Sequence, residues 1–158
     1  MVSNAILFCA YRLLMGKKEG HIIELSALEI GHYDYRFELD NTYFSTIEKT
    51  ELLGGKVEVN AQLDLRADDY DLSLTIYGKV QVTCDRCLDP VDIEVDNTEE
   101  MAPLLGEVET IDLDWLAYEQ IIVNLPLVHC HPEGGCNPEM AALLQNHLCS
   151  TPEEPDTL

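Results

Sequence analysis

The last 72 residues of this sequence contain no lysine and no arginine. All nine basic side chains lie at or before Arg86 together with 14 acids, whereas residues 87–158 carry 16 acids and no base. Proteins bind nucleic-acid phosphates largely through Lys and Arg, so this composition argues against a classical basic RNA-binding domain. An acidic surface attracts basic partners, or simply keeps a protein soluble.

Long apolar runs are also missing. The apolar stretch at residues 5–11 is much too short to span a bilayer, and it lacks the flanking features of a signal peptide. With six cysteines and no secretory context, we expect reduced thiols in a cytoplasmic protein that makes no membrane contact. We expect residues 1–19 to be a flexible N-terminal extension, in which Met15 is the natural start.

Several signatures of catalysis are absent as well. The sequence has no Gly-rich phosphate loop, no serine nucleophile elbow and no His-x-x-x-His helix pair. Carboxylates are so numerous that no pair of them stands out. We therefore predict no catalytic residue and no enzyme activity.

What the sequence does contain is a series of alternating apolar and polar residues. This period of two recurs over residues 33–39, 57–65, 72–84 and 91–95, which predicts a meander of antiparallel strands with one buried face. Gly78 predicts a bend or bulge in a long strand. Residues 45–53 fit either a short helix or a loop that Gly54 and Gly55 end.

The C-terminal part predicts helices. We expect a surface loop over residues 97–110, and then a helix that begins near Asp112 and is stopped by Pro126. A second helix is predicted from Pro138 to Leu148. The fold class is therefore α+β: an antiparallel sheet, barrel-like if its ends meet, with one or two C-terminal helices. Residues 20–148 form one domain, and residues 149–158 form a disordered acidic tail.

Cysteines provide the strongest local signal. Cys84 and Cys87 occupy a turn between two predicted strands, and Cys130 and Cys136 follow downstream, with His129 or His131 as substitute ligands. Four such ligands without an open position would hold zinc in a structural site. Three alternatives stay open: unmetallated thiols packed as small apolar residues, a redox pair, and a Cys87–His131 nucleophile–base pair. Cys9 and Cys149 lie near the ends of the chain and are expected to be incidental.

The order of these motifs resembles a known family. Residues 84–88 read Cys-x-Arg-Cys-Leu, and an Asp-Leu pair at residues 112–113 opens the next helix. That helix ends as Glu-x-Ile-Ile-x-x-Leu-Pro at residues 119–126, and a His/Cys segment follows at residues 129–136. Over residues 20–148 the chain resembles the YceD family of large ribosomal RNA subunit accumulation proteins.

The resemblance implies a bacterial cytoplasmic or plastid protein of ribosome biogenesis that has no established enzyme activity. Given the charge, we expect the acidic region 89–119 to bind a basic ribosomal protein or assembly factor. The candidate partner-binding residues are Arg86, Glu99, Glu100, Glu107, Glu109, Asp112 and Asp114.

Two other functions remain as alternatives. Direct RNA binding requires that the basic side chains gather on one face; these are Lys49, Lys56, Arg66, Lys79 and Arg86. A thiol enzyme or redox protein requires an exposed Cys84 or Cys87 with a low pKa.

Overall fold

The computed structural model of the protein describes residues 20–102 and 108–147, which form six strands and three α-helices. Interpretations that fall on residues 1–19, 103–107 and 148–158 lie outside this range. In chain order the elements are β1 (Ile22–Glu24), a 3-10 turn (Leu25–Ala27), β2 (Gly31–Leu39), α1 (Asn41–Phe44), β3 (Leu52–Leu65), β4 (Tyr70–Thr83), β5 (Pro90–Met101), β6 (Thr110–Asp112), α2 (Leu113–Asn124) and α3 (Pro138–His147).

The main sheet is an antiparallel meander in the order β2-β3-β4-β5, which confirms the predicted α+β class. Leu65 pairs with Tyr70 at one end of the β3–β4 hairpin, and Thr83 pairs with Pro90 at the start of β5. Within the described residues β2 and β5 do not pair with each other, so the sheet is open and not a closed barrel. A second, two-stranded sheet joins β1 to β6.

The core lies on one face of the main sheet. Alternate residues of β3 and β4, such as Val59, Leu63, Leu74 and Ile76, are completely buried. Helix α2 supplies buried side chains to the same core, among them Ile121. The apolar positions of the alternating pattern in the sequence are therefore the buried positions of β3 and β4.

Two glycines allow β3 and β4 to approach closely. Gly55 and Gly78 have φ of +148° and +149°, and a Cβ atom at Gly78 would lie 2.4 Å from the carbonyl oxygen of Lys56. The residue pairing continues without a shift through Gly78, whereas an irregularity occurs between Leu52 and Gly54. Gly78 therefore has an unusual backbone conformation, as predicted, but the irregularity in strand pairing lies between Leu52 and Gly54.

Two predicted boundaries were wrong. The loop expected over residues 97–110 is strand at both ends, because β5 continues to Met101 and β6 begins at Thr110. Pairing with β4 stabilises this acidic stretch as strand despite its weak strand propensity. Residues 45–51 are turns, as the loop alternative predicts, but Gly54 and Gly55 lie inside β3 instead of ending the loop. The short helix lies earlier, at Asn41–Phe44, where the Asp40 carboxylate caps it.

Both C-terminal helices agree with the prediction. Asp112 caps α2 by accepting a hydrogen bond from the backbone N–H of Trp115, and α2 ends just before Leu125 and Pro126. Pro138 occupies the first position of α3. Among the described helices, none combines the length and the apolar character needed to cross a membrane.

Candidate metal centre

The turn between β4 and β5 points two thiols into the protein. The backbone N–H of Cys84 donates to the carbonyl oxygen of Asp89 over 2.9 Å. The backbone N–H of Leu88 donates to the carbonyl oxygen of Cys84, also over 2.9 Å. Leu88 adopts a left-handed conformation with φ of 63°, which closes the turn. As a result Cys84 is 0% exposed and Cys87 is 2% exposed.

The segment after α2 returns to this turn through a pair of hydrogen bonds. The backbone N–H of Asp85 donates to the carbonyl oxygen of His129 over 2.7 Å. In the opposite direction, the N–H of His129 donates to the Asp85 carboxylate over 2.6 Å. We call this pair the Asp85 clamp. It places the residues that follow His129 beside the two buried thiols.

Four side chains then meet: Cys84, Cys87, His131 and Cys136, whose ligand atoms all lie within 4.8 Å of one another. The Cys87 sulfur is 3.3 Å from His131 Nδ1, and the Cys136 sulfur is 3.9 Å from the Cys84 sulfur and 4.0 Å from His131 Nδ1. Ligands of one tetrahedral zinc ion lie about 3.5–3.8 Å apart, given the usual Zn–S and Zn–N bond lengths. The cluster therefore has nearly the dimensions of a metal site.

His131 is oriented for ligation. Its Nε2 lies 3.1 Å from the carbonyl oxygen of Pro90, which can only accept a hydrogen bond. Nε2 must therefore carry the hydrogen, and in a neutral imidazole this leaves the Nδ1 lone pair directed at the thiols. A second ring nitrogen that donates to a backbone carbonyl is the usual arrangement of a metal-binding histidine.

The thiols differ in their readiness to ionise. Burial raises the pKa of the Cys84 thiol, but hydrogen bonds from the backbone N–H groups of Cys87, Arg86 and His131 outweigh this and lower its pKa to about 5. Burial, reinforced by the neighbouring thiols, raises the pKa of Cys136 to about 11. The turn thus favours ionisation of the Cys84 thiol, whereas a metal ion would have to displace the proton of Cys136.

The structure brings together a different fourth ligand from the one expected. Cys130 is half-buried near Cys84, with a thiol pKa raised mainly by burial, but it does not belong to the group of four. His131, one of the two substitutes, occupies the fourth position. The other substitute, His129, has its Nε2 atom buried without a hydrogen-bond partner among the described residues.

The candidate partner-binding residues fall into two groups. Arg86 is exposed in the turn, and Glu99 and Glu100 are exposed near the end of β5. Three others have structural roles: the carbonyl oxygen of Glu109 accepts from Leu25, Asp112 caps α2, and Asp114 is paired with His21. Glu107 lies outside the described residues.

Asp114 is a candidate partner-binding residue that the fold does not leave exposed. Its side chain is nearly buried and accepts hydrogen bonds from the His21 backbone N–H at 3.0 Å and from His21 Nδ1 at 2.7 Å. The His21 ring also stacks on Phe37. This carboxylate therefore serves the junction between the N-terminal strand and α2 and is not presented to a partner.

Comparisons with protein-family models, with curated proteins and with solved structures gave no match to this chain. The chemistry of the centre therefore follows from its own donor atoms, three sulfurs and one imidazole nitrogen. This donor set is typical of structural zinc sites. No spacing in the sequence distinguishes His131 from Cys130 as the fourth ligand, because the choice depends on the contact between Asp85 and His129.

Proposed function

We propose that this protein is a non-enzymatic ribosome-biogenesis factor that supports the accumulation of large-subunit ribosomal RNA by binding a basic ribosomal protein or assembly factor. The observation that carries the proposal is the contrast between paired cations and unpaired acids. Four cations are each held by a carboxylate: Arg36 by Glu58, Lys56 by Glu38, Arg66 by Asp71 and Lys79 by Glu94. Most exposed acids of β5 have no cation beside them in the described residues, so they can bind a basic surface.

The resemblance to the YceD family supplies the ribosomal part of this proposal. Two of the segments that carry the resemblance, residues 84–88 and the His/Cys segment, lie far apart in the sequence but meet in one cluster. A shared structural centre gives a physical reason for both segments to occur together. This supports the family assignment as a proposal.

The cluster itself is proposed to bind one structural zinc ion through Cys84, Cys87, His131 and Cys136. The four donors fill a tetrahedral shell and leave no open position for a substrate or a water molecule. Substitution with Co²⁺ tests this, since cobalt bound by three thiolates and one imidazole absorbs strongly in the visible range. Loss of that absorption in His131→Ala but not in Cys130→Ser is the expected result; the reverse pattern would exclude this ligand set.

Direct RNA binding is less well supported. Lys56 and Lys79 are opposite each other in the pairing of β3 with β4. Arg66 lies ten residues after Lys56, just beyond the end of β3, which is about 33 Å away along an extended strand. Arg86 lies in the metal-centre turn. The basic side chains are thus dispersed and largely neutralised, which disfavours counterion release from a nucleic acid.

A thiol enzyme or redox role is also less well supported. Cys87 and His131 do lie within hydrogen-bonding distance, as the nucleophile–base alternative requires. However, the Cys87 sulfur and its neighbour Cys84 are buried, whereas a reactive thiol must be reached by its substrate.

The proposed partner can be tested by affinity capture from cells at low and at high salt. We expect capture of a basic ribosomal protein or assembly factor that is lost at high salt, because the contact is mainly electrostatic. Treatment with nuclease should leave the capture intact. Salt-sensitive recovery of naked ribosomal RNA without a basic protein would overturn the proposal in favour of direct RNA binding.

A further inference from the structure

The β5 edge of the main sheet pairs with no further strand in the described residues. β5 is a terminal strand of twelve residues that pairs only with β4. Every second residue of such a strand directs its backbone N–H and C=O away from the sheet. Apart from the pairing with β4, no backbone hydrogen bond involves residues 91–101 in the described chain.

The outward face of this edge strand is strongly acidic. The side chains that alternate with the buried ones are Asp92, Glu94, Asp96 and Glu100, and among the described residues only Glu94 has an ion-pair partner, Lys79 at 3.3 Å. The carboxylates of Asp92, Glu94 and Asp96 follow one another about 7 Å apart, so they repel one another. A basic side chain between them would relieve that repulsion.

The side of the edge that faces Asn124 and Leu125 is incompletely packed. A cavity of about 150 Å³ is lined by residues 93–97 together with Asn124 and Leu125. Asn97 is one of these residues, and its side-chain nitrogen and oxygen are both buried and have no hydrogen-bond partner among the described residues. These two polar groups lack the partners that buried polar atoms usually have.

Exposed apolar side chains follow in the segment after α2. The chain runs from Leu125 at the cavity to His131 at the Pro90 carbonyl, so it passes beside the first half of β5. On the way Leu127 is fully exposed and Val128 is 65% exposed. The acidic edge strand is therefore followed in space by a segment with two exposed apolar side chains.

We propose that an extended, Lys- or Arg-rich segment of the protein partner adds to β5 as a fifth strand. Its alternate basic side chains lie over Asp92, Glu94 and Asp96, and the intervening apolar side chains lie against Leu127 and Val128. This rests on the proposed function and specifies how the basic partner is bound. A second copy of the chain is a poor occupant, because two β5 edges would bring like charges together.

The test uses a capped eight-residue peptide of alternating Lys and Val, with the intact protein. We expect salt-sensitive binding by calorimetry, with slowed amide exchange in β5 and unchanged exchange in β2, the opposite edge. A fully backbone-N-methylated peptide keeps the charges but cannot form the strand ladder, so it should bind at least tenfold more weakly. Equal binding of both peptides, or binding without protection in β5, overturns the inference and leaves the proposed basic partner standing.

Matched variants separate this edge from general acidity. Asp92→Asn with Glu94→Gln and Asp96→Asn should weaken binding of the Lys-Val peptide roughly tenfold, because three surface charge pairs are lost. The control variant Glu29→Gln with Glu48→Gln and Glu51→Gln removes the same charge from exposed sites off β5 and should bind normally. An equal loss in both variants would contradict the β5 site, and failure of the unmodified protein to bind any basic peptide would count against the proposed function as well. Peptide-independent dimers joined through β5 would also overturn the inference.

Discussion

The main sheet and the C-terminal segment, residues 122–147, are held in place by different interactions. The sheet packs buried side chains from β2 to β5 and from α2, all at or before Ile121. In the C-terminal segment no described residue is buried, and α3 in particular contributes none. The sheet is therefore stabilised mainly by apolar burial, whereas the segment combines partial packing against the core with the Asp85 clamp and the Cys/His cluster.

This difference implies that the two regions respond to different perturbations. Apolar burial contributes about 25 cal/mol per Å², so the sheet gains most of its stability from its own core. The segment gains less in this way, because Leu127, Val128, Leu143 and Leu144 remain exposed. Only partly buried residues, such as Leu125 and Met140, pack against the core. A metal ion would fasten it by a few strong bonds instead.

Metal removal should have the largest effect and should separate the two regions. With a strong chelator we expect residues 125–147 to lose amide-exchange protection, which corresponds to a loss of about 4 kcal/mol or more in the free energy of local opening. β3 and β4 should keep their protection. Uniform loss across the sheet, or no change in the segment, would contradict the comparison.

A substitution in the core should destabilise the sheet and leave the metal centre unchanged. Leu74 is completely buried on β4, so Leu74→Ala should lower the free energy of global unfolding by about 3 kcal/mol in urea titrations. Metal affinity of the folded protein should stay the same. Leu144→Ala, at an exposed position on α3, is the control and should change stability by less than about 0.5 kcal/mol.

The Asp85 clamp should contribute less than the metal. Asp85→Ala removes the acceptor of the His129 N–H and should weaken the attachment of the segment by about 1–2 kcal/mol. The measurement is amide exchange of residues 125–147, with Asp89→Ala as a control in the same turn. Asp89→Ala removes a charge but leaves the backbone carbonyl that Cys84 uses, so exchange should remain normal.

The smallest expected effect is a gain in the free energy of unfolding. Leu88 has φ of 63° and an exposed side chain, a conformation that costs a non-glycine residue about 1 kcal/mol. Leu88→Gly should therefore raise the free energy of unfolding by up to about 1 kcal/mol without changing the metal stoichiometry. A clear loss of stability would mean that Leu88 contributes contacts which outweigh the strain.

Most of the fold could be predicted from the sequence, because apolar and polar residues alternate regularly within its strands. Residues 57–65 and 72–84 have their buried faces where the alternation places them, and Pro126 and Pro138 bound the two C-terminal helices. The error at residues 97–101 has a physical cause. Acidic residues there read as loop, but strand pairing with β4 is a tertiary effect that local propensity does not contain.

The candidate site was predictable only in part. The spacing of Cys84 and Cys87 identified the turn, and Cys136 was correctly paired with it in space. The choice between Cys130 and His131 depends on where the Asp85 clamp holds residue 129, since adjacent side chains point in different directions. That contact joins residues 44 apart, and a single sequence carries no signal for it.

The most direct test of the account is the metal content of protein purified without chelator. We expect one zinc ion per chain in the unaltered protein and in Cys130→Ser, and little or none in Cys136→Ser and His131→Ala. Folding of β3 and β4 in all four proteins, checked by amide exchange, shows that a lost ion reflects a lost ligand. Absence of metal from the unaltered protein, or its loss in Cys130→Ser with retention in His131→Ala, would contradict the proposed centre.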